Sequence, residues 1–305
     1  MRFVVNILSS MVICVFFTTG NSIYHRSGSI PHPSGHLSRT AGGAPAPYSP
    51  TNGGPAGLTQ WYDGYDTNTV VTSTGQYTNR APISTWLDKS PYTNMLIQPS
   101  AAQQFLYITE TNPASLRNGL VCGVWGCGDR WMYVHTNGIA SLESTNALSG
   151  IFVMRNRGSG DIALLNRVTA ADSLEYMFWY GFTVADSLAM YDSATWRYSP
   201  ANVYPYVAPE HIYRVLGFSY GGTNISFYTN GVFAGSSAIL PNKNSGTGYT
   251  IINNHYPYKA GTRIGADVYW EILVYSNTLT AADHSMLTTN YLYPKWGTNL
   301  FYYTP

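Results

Sequence analysis

The acidic side chains set the first limit on chemistry. Glycoside hydrolysis takes two carboxyl groups flanking the scissile bond, but the five glutamates of this 305-residue chain, Glu110, Glu143, Glu175, Glu210 and Glu271, are widely separated, and none has an aspartate two places away. A G-x-S-x-G elbow, an H-E-x-x-H helix and a phosphate loop are also missing. A protein that is not an enzyme is expected. Aromatic residues offer more. MYDSATWRYSPANVYPYVAPEHIY, from Met190 to Tyr213, carries Tyr191, Trp196, Tyr198, Tyr204 and Tyr206, and Tyr256 and Tyr258 follow in NNHYPYKAG. Aromatic faces stack on sugar C–H groups while neighbouring Asn, Asp and Arg bond hydroxyls. Long stretches with little strand pattern are more often functional than idle, so these seven residues are the candidate ligand-binding surface, all but Tyr191 on loops. The alternative is that they cover the fold or pack on a neighbouring subunit. Cys122 and Cys127, in CGVWGC, are either a local disulfide that Gly123 and Gly126 would let turn back, or two buried free thiols; zinc lacks two further ligands.

These residues must be held by strands. Only 10% of the chain is charged while Tyr alone contributes 26 residues, a composition suited to pleated surfaces and polar turns rather than to helices. A net charge of +1 with no basic run excludes nucleic acid as a partner. Candidate strands are 150–155, 161–167, 176–184, 187–192, 211–220, 249–253, 263–265 and 270–275. NISFYTNGVFAGSS reads as a hairpin: Ile225 and Phe227 share a face, Asn230-Gly231 suits a two-residue type I′ turn, and Val232 and Phe233 begin the return strand. Asn224, in Asn224-Ile225-Ser226, is a glycosylation sequon expected just before that hairpin. One short helix is expected near the end, capped by Thr280 with Asp283 at the box position, stapled by Leu279, and turning Met286, Leu287 and Tyr291 inward.

At the other end, Arg2 precedes an apolar stretch from Phe3 to Phe17 that ends in small and polar residues. Residues 1–22 therefore read as a cleaved signal peptide or an uncleaved signal anchor. The protein is expected outside the cell, secreted or on a cell or virion surface, touching membrane only through that segment. Residues 23–57, rich in Pro, Gly and Ser and including His25, His32 and His36, read as a disordered linker. The folded body is expected over 58–303, with removal of residues 1–57 leaving its stability nearly unchanged.

Particular strings point to a family. LTQWYDGYDTNTV (58–70), STWLDKSPYTN (84–94), the NISFYTNGVFAG hairpin and RIGADVYWEILVYSNTLTAADHSMLTTNYLYPKWG (263–297) resemble, in order, the bacterial and viral laminin-G-like domains of the concanavalin A-like lectin/glucanase superfamily. The resemblance implies an all-β, two-sheet antiparallel jelly-roll sandwich with one short C-terminal helix. Trp61, Trp86 and Trp296 become core anchors, and Glu271 an acidic residue that organises packing or hydrogen bonds. Asp63, Asp66 and Asp88 sit where a carboxylate accepts turn N–H groups; related folds bind calcium through such loops, so they are also weak calcium candidates, and no other cofactor is expected. Glucanases of the superfamily deliver their carboxylates as E-x-D-x-E, which this chain lacks. What remains is a recognition module for carbohydrate or a surface glycoprotein, or a structural protein of a virion or surface layer contacting neighbouring subunits.

Overall fold

The protein is described by a computed structural model over residues 48–108, 119–121, 130–134, 147–156, 162–169, 174–181, 187–191, 196–199, 213–238, 248–252 and 267–296. Its strands, in chain order, are β1 (Leu58–Asp63), β2 (Val70–Thr72), β3 (Pro82–Trp86), β4 (Leu96–Ile97), β5 (Phe105–Ile108), β6 (Gly119–Val121), β7 (Met132–Val134) and β8 (Ala147–Asn156). There follow β9 (Ile162–Thr169), β10 (Leu174–Gly181), β11 (Ser187–Tyr191), β12 (Trp196–Tyr198), β13 (Tyr213–Gly221), β14 (Asn224–Thr229), β15 (Val232–Ala238), β16 (Gly248–Ile252) and β17 (Asp267–Tyr275). All pair antiparallel, in two layers. One sheet runs β1-β17-β8-β13-β14-β15. The larger runs β2-β3-β4-β7-β16-β9-β10-β11-β12, with β5 beside β4 on the edge of β3 and joined through β6 to β17.

Two apolar layers hold this together. Between the sheets, Phe178 of the larger sheet stacks on Phe152 and Phe227 and tilts against Phe218, with Trp86, Ile83, Leu96, Ile252 and Ile272 around them. On the far side of the smaller sheet, Ile151, Val153, Leu273 and Tyr275 meet the C-terminal helical segment. Strands β8 and β17 are therefore covered on both faces, which is why they read as continuous apolar runs rather than alternating ones.

That segment starts as α1 (Ala281–Leu287), widens into a π-helical turn (Thr288–Leu292) and closes as α2 (Tyr293–Trp296). Thr280 and Asp283 form the expected capping box and Leu279 is buried beside it. The hydroxyls of Thr288 and Thr289 bond back to the carbonyls of His284 and Ser285, a competition with the backbone that loosens a helix. The wider turn brings Leu287, Tyr291, Leu292 and Trp296 all onto the sheet. His284 is buried with them, a position the sequence reading left unassigned, whereas Met286 is only half-buried.

The hairpin has the expected turn: Asn230 (φ 51°) and Gly231 (φ 77°) are both left-handed, as type I′ requires. Asn224 is exposed but is the first residue of β14, paired with Ala238, rather than lying before the strand. A larger correction falls on the linker. Residues 48–57 are not a free arm. Tyr48 packs on the outer apolar layer and the Gly57 carbonyl accepts the Ser276 N–H at 2.8 Å, so the segment closes the end of β17. The expected strand at 263–265 lies outside the described residues, as do 1–47. Among the described residues no helix is long and apolar enough to cross a membrane.

Candidate functional site

Register places the chemistry-bearing residues on two surfaces. The first is a buried charge network at one end of the smaller sheet. Strand pairing sets Asp63 opposite Glu271, and Lys295 reaches both, at 2.7 Å from Asp63 Oδ2 and 2.9 Å from Glu271 Oε2. Glu271 is wholly buried and accepts four bonds: from Trp61 Nε1 (2.7 Å), Trp296 Nε1 (2.7 Å), Lys295 Nζ and the Tyr291 hydroxyl. Lys89 joins Asp63 (3.0 Å) to Asp66 (2.9 Å) and lies 4.6 Å from the centroid of the Trp61 ring. Burial pushes the Glu271 carboxyl up from its ordinary range, while Lys295 and the donors around it favour the ionised form. For Asp66, desolvation raises the carboxyl but the bonds from Lys89 and Asn68 outweigh it, leaving it below its ordinary value.

Asp88 belongs to the adjoining loop. Its two oxygens accept from the backbone N–H groups of Trp61 (2.8 Å), Ser90 (2.7 Å) and Asn94 (2.9 Å) and from the Ser90 hydroxyl (2.7 Å). Burial raises its carboxyl in spite of them. The three aspartates named as calcium candidates thus meet lysines and turn amides, and among the described residues no group of three or more His, Cys, Asp or Glu converges as a metal site. Lys89 and Lys295 escaped the sequence reading, and Tyr291 was expected only as an inward-facing helix residue; the strings D-K-S and P-K-W that carry the two lysines were its available signal.

The second surface is the outward face of the larger sheet. Trp196 pairs with Tyr191, Tyr191 with Met177 and Met177 with Asn166. The row continues from Asn166 to Ile251, Tyr133, Ile97 and Thr85. Their chain neighbours Met190, Phe178, Leu165, Ile252, Met132 and Leu96 all lie in the inter-sheet core, so the row holds the register positions that alternate with that core. Tyr198 shares that face two residues beyond Trp196 and is 38% exposed, and Trp131 packs its ring 5.2 Å from that of Tyr133.

Trp196 and Tyr198, expected on a loop, are therefore on strand β12, while Tyr191 ends β11, within the strand expected over 187–192. The physical reason is that β12 needs only three residues to pair with the end of β11, and W-R-Y already alternates for it. Tyr204, Tyr206, Tyr256, Tyr258, Cys122 and Cys127 lie outside the described residues. Asn166 and Tyr133, which the row brings beside the predicted aromatics, were not foreseen; an asparagine inside the apolar run ALLNRV was the only cue.

No protein-family model matches the sequence, and no curated protein matches it. Solved structures do. The binding domain of a paraclostridial mosquitocidal protein superposes with a TM-score of 0.51 at 11% identity, over 77% of this chain and 52% of that one. Domain 4 of an extracellular arabinanase from Geobacillus stearothermophilus, in complex with arabinotriose, does so with a TM-score of 0.50 at 15% identity, over 76% of this chain and 98% of that one. The fold is a jelly-roll β-sandwich. A native heptameric SAP-like pentraxin from Limulus polyphemus is a more distant match, with a TM-score of 0.40 over 48% of this chain and 72% of that one, at 12% identity. At these identities the likeness is one of fold, and it agrees with the all-β sandwich expected from the sequence.

Proposed function

We infer that the jelly roll is a non-catalytic recognition module that works outside the cell and binds carbohydrate, free or carried on a surface glycoprotein. The observation that carries this reading is the register row: Trp196, Tyr191, Met177, Asn166, Ile251 and Tyr133 stand at successive paired positions across the larger sheet, aromatic towards both ends and with no charged residue among them. Aromatic residues of this kind stack on sugar C–H groups. The arabinanase domain of the same fold was solved with arabinotriose, which supports the ligand class. The absence of catalysis is supported by the burial of Glu271, whose oxygens are engaged by Trp, Tyr and Lys donors beneath the surface. Export is supported by the Arg2-led apolar segment.

A structural role in a virion or surface layer is the second reading. It is favoured by β15, which carries no charged residue or proline and exposes Val232 (67%) and Phe233 (52%), an edge of the kind that pairs with neighbouring chains. A glycan array read beside a sizing column separates the two. Selective sugar binding by a monomer supports recognition; assembly with rising concentration and no sugar bound overturns it in favour of a lattice.

A further inference from the structure

We propose that Asn224 carries an N-linked oligosaccharide and that this glycan covers the open side of β15. The proposal rests on the reading that the chain is exported, because acceptor asparagines belong to the surfaces of secreted proteins. Asn224-Ile225-Ser226 is the only N-x-S/T string in the sequence, with no proline at its centre or directly after it.

Strand register fixes where its amide points. Ile225 and Phe227, the alternate residues of β14, are wholly buried in the inter-sheet core. Alternation therefore turns Asn224, Ser226 and Tyr228 to the other face of the smaller sheet, where the ring of Tyr228 stacks on His284 of α1. Asn224 is exposed there and Ser226 half-buried. A glycan at this position points away from the larger sheet, with the core between them, and leaves the register row unobstructed.

The surroundings suit a bulky, water-binding group. Across the hairpin Ser226 pairs with Ser236 and Asn224 with Ala238, and both partners are small and exposed, so no large side chain crowds the first sugar. Among the described residues β15 pairs with β14 alone. Its other side is an open edge, which proteins ordinarily charge, kink or cover, yet neither β14 nor β15 holds a charged residue or a proline. A glycan anchored opposite the last residue of β15 supplies that cover, since such glycans are bulky and solubilising.

The modification is a group transfer. Asn224 Nδ2 attacks the anomeric carbon of an oligosaccharide carried on a polyisoprenyl diphosphate. The new bond forms between Nδ2 and that carbon, the bond from the carbon to the diphosphate oxygen breaks, the amide proton passes to a base of the transferase, and the lipid diphosphate leaves. Because β14 is paired on both sides in the folded chain, the transfer precedes closure of the hairpin.

The test produces the full chain, with its own N-terminal segment, in insect cells and treats the secreted protein with peptide N-glycosidase in heavy-oxygen water, which turns a glycosylated asparagine into labelled aspartate. Asn224 should carry the label. Asn224→Gln and Ser226→Ala should each lose the mass added by the glycan, and Ser226→Thr should keep it. A secreted parent with unmodified Asn224 overturns the site and leaves export standing. A parent held inside the cell overturns the export reading, and the same chain behind an established leader then decides the site: label at Asn224 upholds it, and its absence overturns it. Should the variants fail to fold, the label in the parent decides by itself. Removing the glycan from the folded protein should bring association with rising concentration on a sizing column, suppressed by Val232→Lys on the edge; unchanged elution overturns the cover.

Discussion

Among single residues, Lys295 and His284 carry the clearest consequences. Lys295 neutralises two carboxylates held a strand apart, so its loss leaves Asp63 and Glu271 buried and facing each other without a shared cation. Breaking a buried pair from one side costs about 3 to 5 kcal/mol. Lys295→Met should therefore lower stability by about that amount in denaturant titration, and adding Glu271→Gln should recover part of it, since the second change removes the stranded charge. His284 acts through pH. Its Nε2 lies 2.8 Å from Ser219 Oγ, its ring stacks on Tyr228 at 3.8 Å, and the Gly217 backbone leaves no room beneath it. Burial lowers its imidazolium pKa from the ordinary 6.5 to about 3, with Asp283 opposing the shift. The unfolded chain thus binds the extra proton between those values, and the stability due to neutral His284 is whole above pH 6.5 and lost as pH falls towards 3. His284→Gln should flatten the fall in stability between pH 7 and 4 by up to about 1.4 kcal/mol per pH unit; parallel curves for variant and parent would refute the assignment. Carboxylates titrate in both proteins and drop out of the comparison.

Between residues and fold, elements were legible where local chemistry alone decides them. Asn230-Gly231 and Thr280 with Asp283 announce a turn and a cap because positive φ and orphan amides are local needs. The turn also docks. A Cβ on Gly231 would stand 2.7 Å from Thr288 Oγ1 and 3.1 Å from the His284 carbonyl. Gly231→Val therefore meets both a left-handed φ of 77° and the helical segment, and should cost about 2 kcal/mol or more; a variant that melts like its parent would contradict the docking. The linker boundary was misread because residues 48–57 have linker composition, and their attachment to β17 depends on contacts more than 200 positions away in the chain, such as Gly57 with Ser276. A chain starting at residue 58 should melt lower than one starting at 45 by about 3 °C or more; identical melting would return the segment to the linker. The π-helical turn was illegible for a similar reason, since its threonines look like ordinary helix surface until the sheet beneath demands both Tyr291 and Trp296.

Taken whole, the molecule separates what is rigid from what can recognise. Its sandwich and helical cover were readable from apolar runs and turn residues. The register row was not, because a face assembled from β3, β4, β7, β16, β9, β10, β11 and β12 has no contiguous signature in sequence, and Asn166 looks like any polar residue in a strand until the register places it. This arrangement predicts binding without turnover. A ligand held only by the folded sheet stabilises it by mass action, about 2.7 kcal/mol at a hundredfold excess over Kd, so the array's best sugar should raise the melting temperature in proportion to the logarithm of its concentration. Tyr198→Ala, at an exposed position on the same face, should reduce that rise while leaving the unliganded melting temperature almost unmoved. If the protein does not hydrolyse the sugar, the shift must also persist after overnight incubation at 37 °C, with the oligosaccharide recovered intact. A shift that decays as shorter sugars accumulate would mean that a catalytic pair operates on this jelly roll after all, assembled from carboxylates other than the buried Glu271.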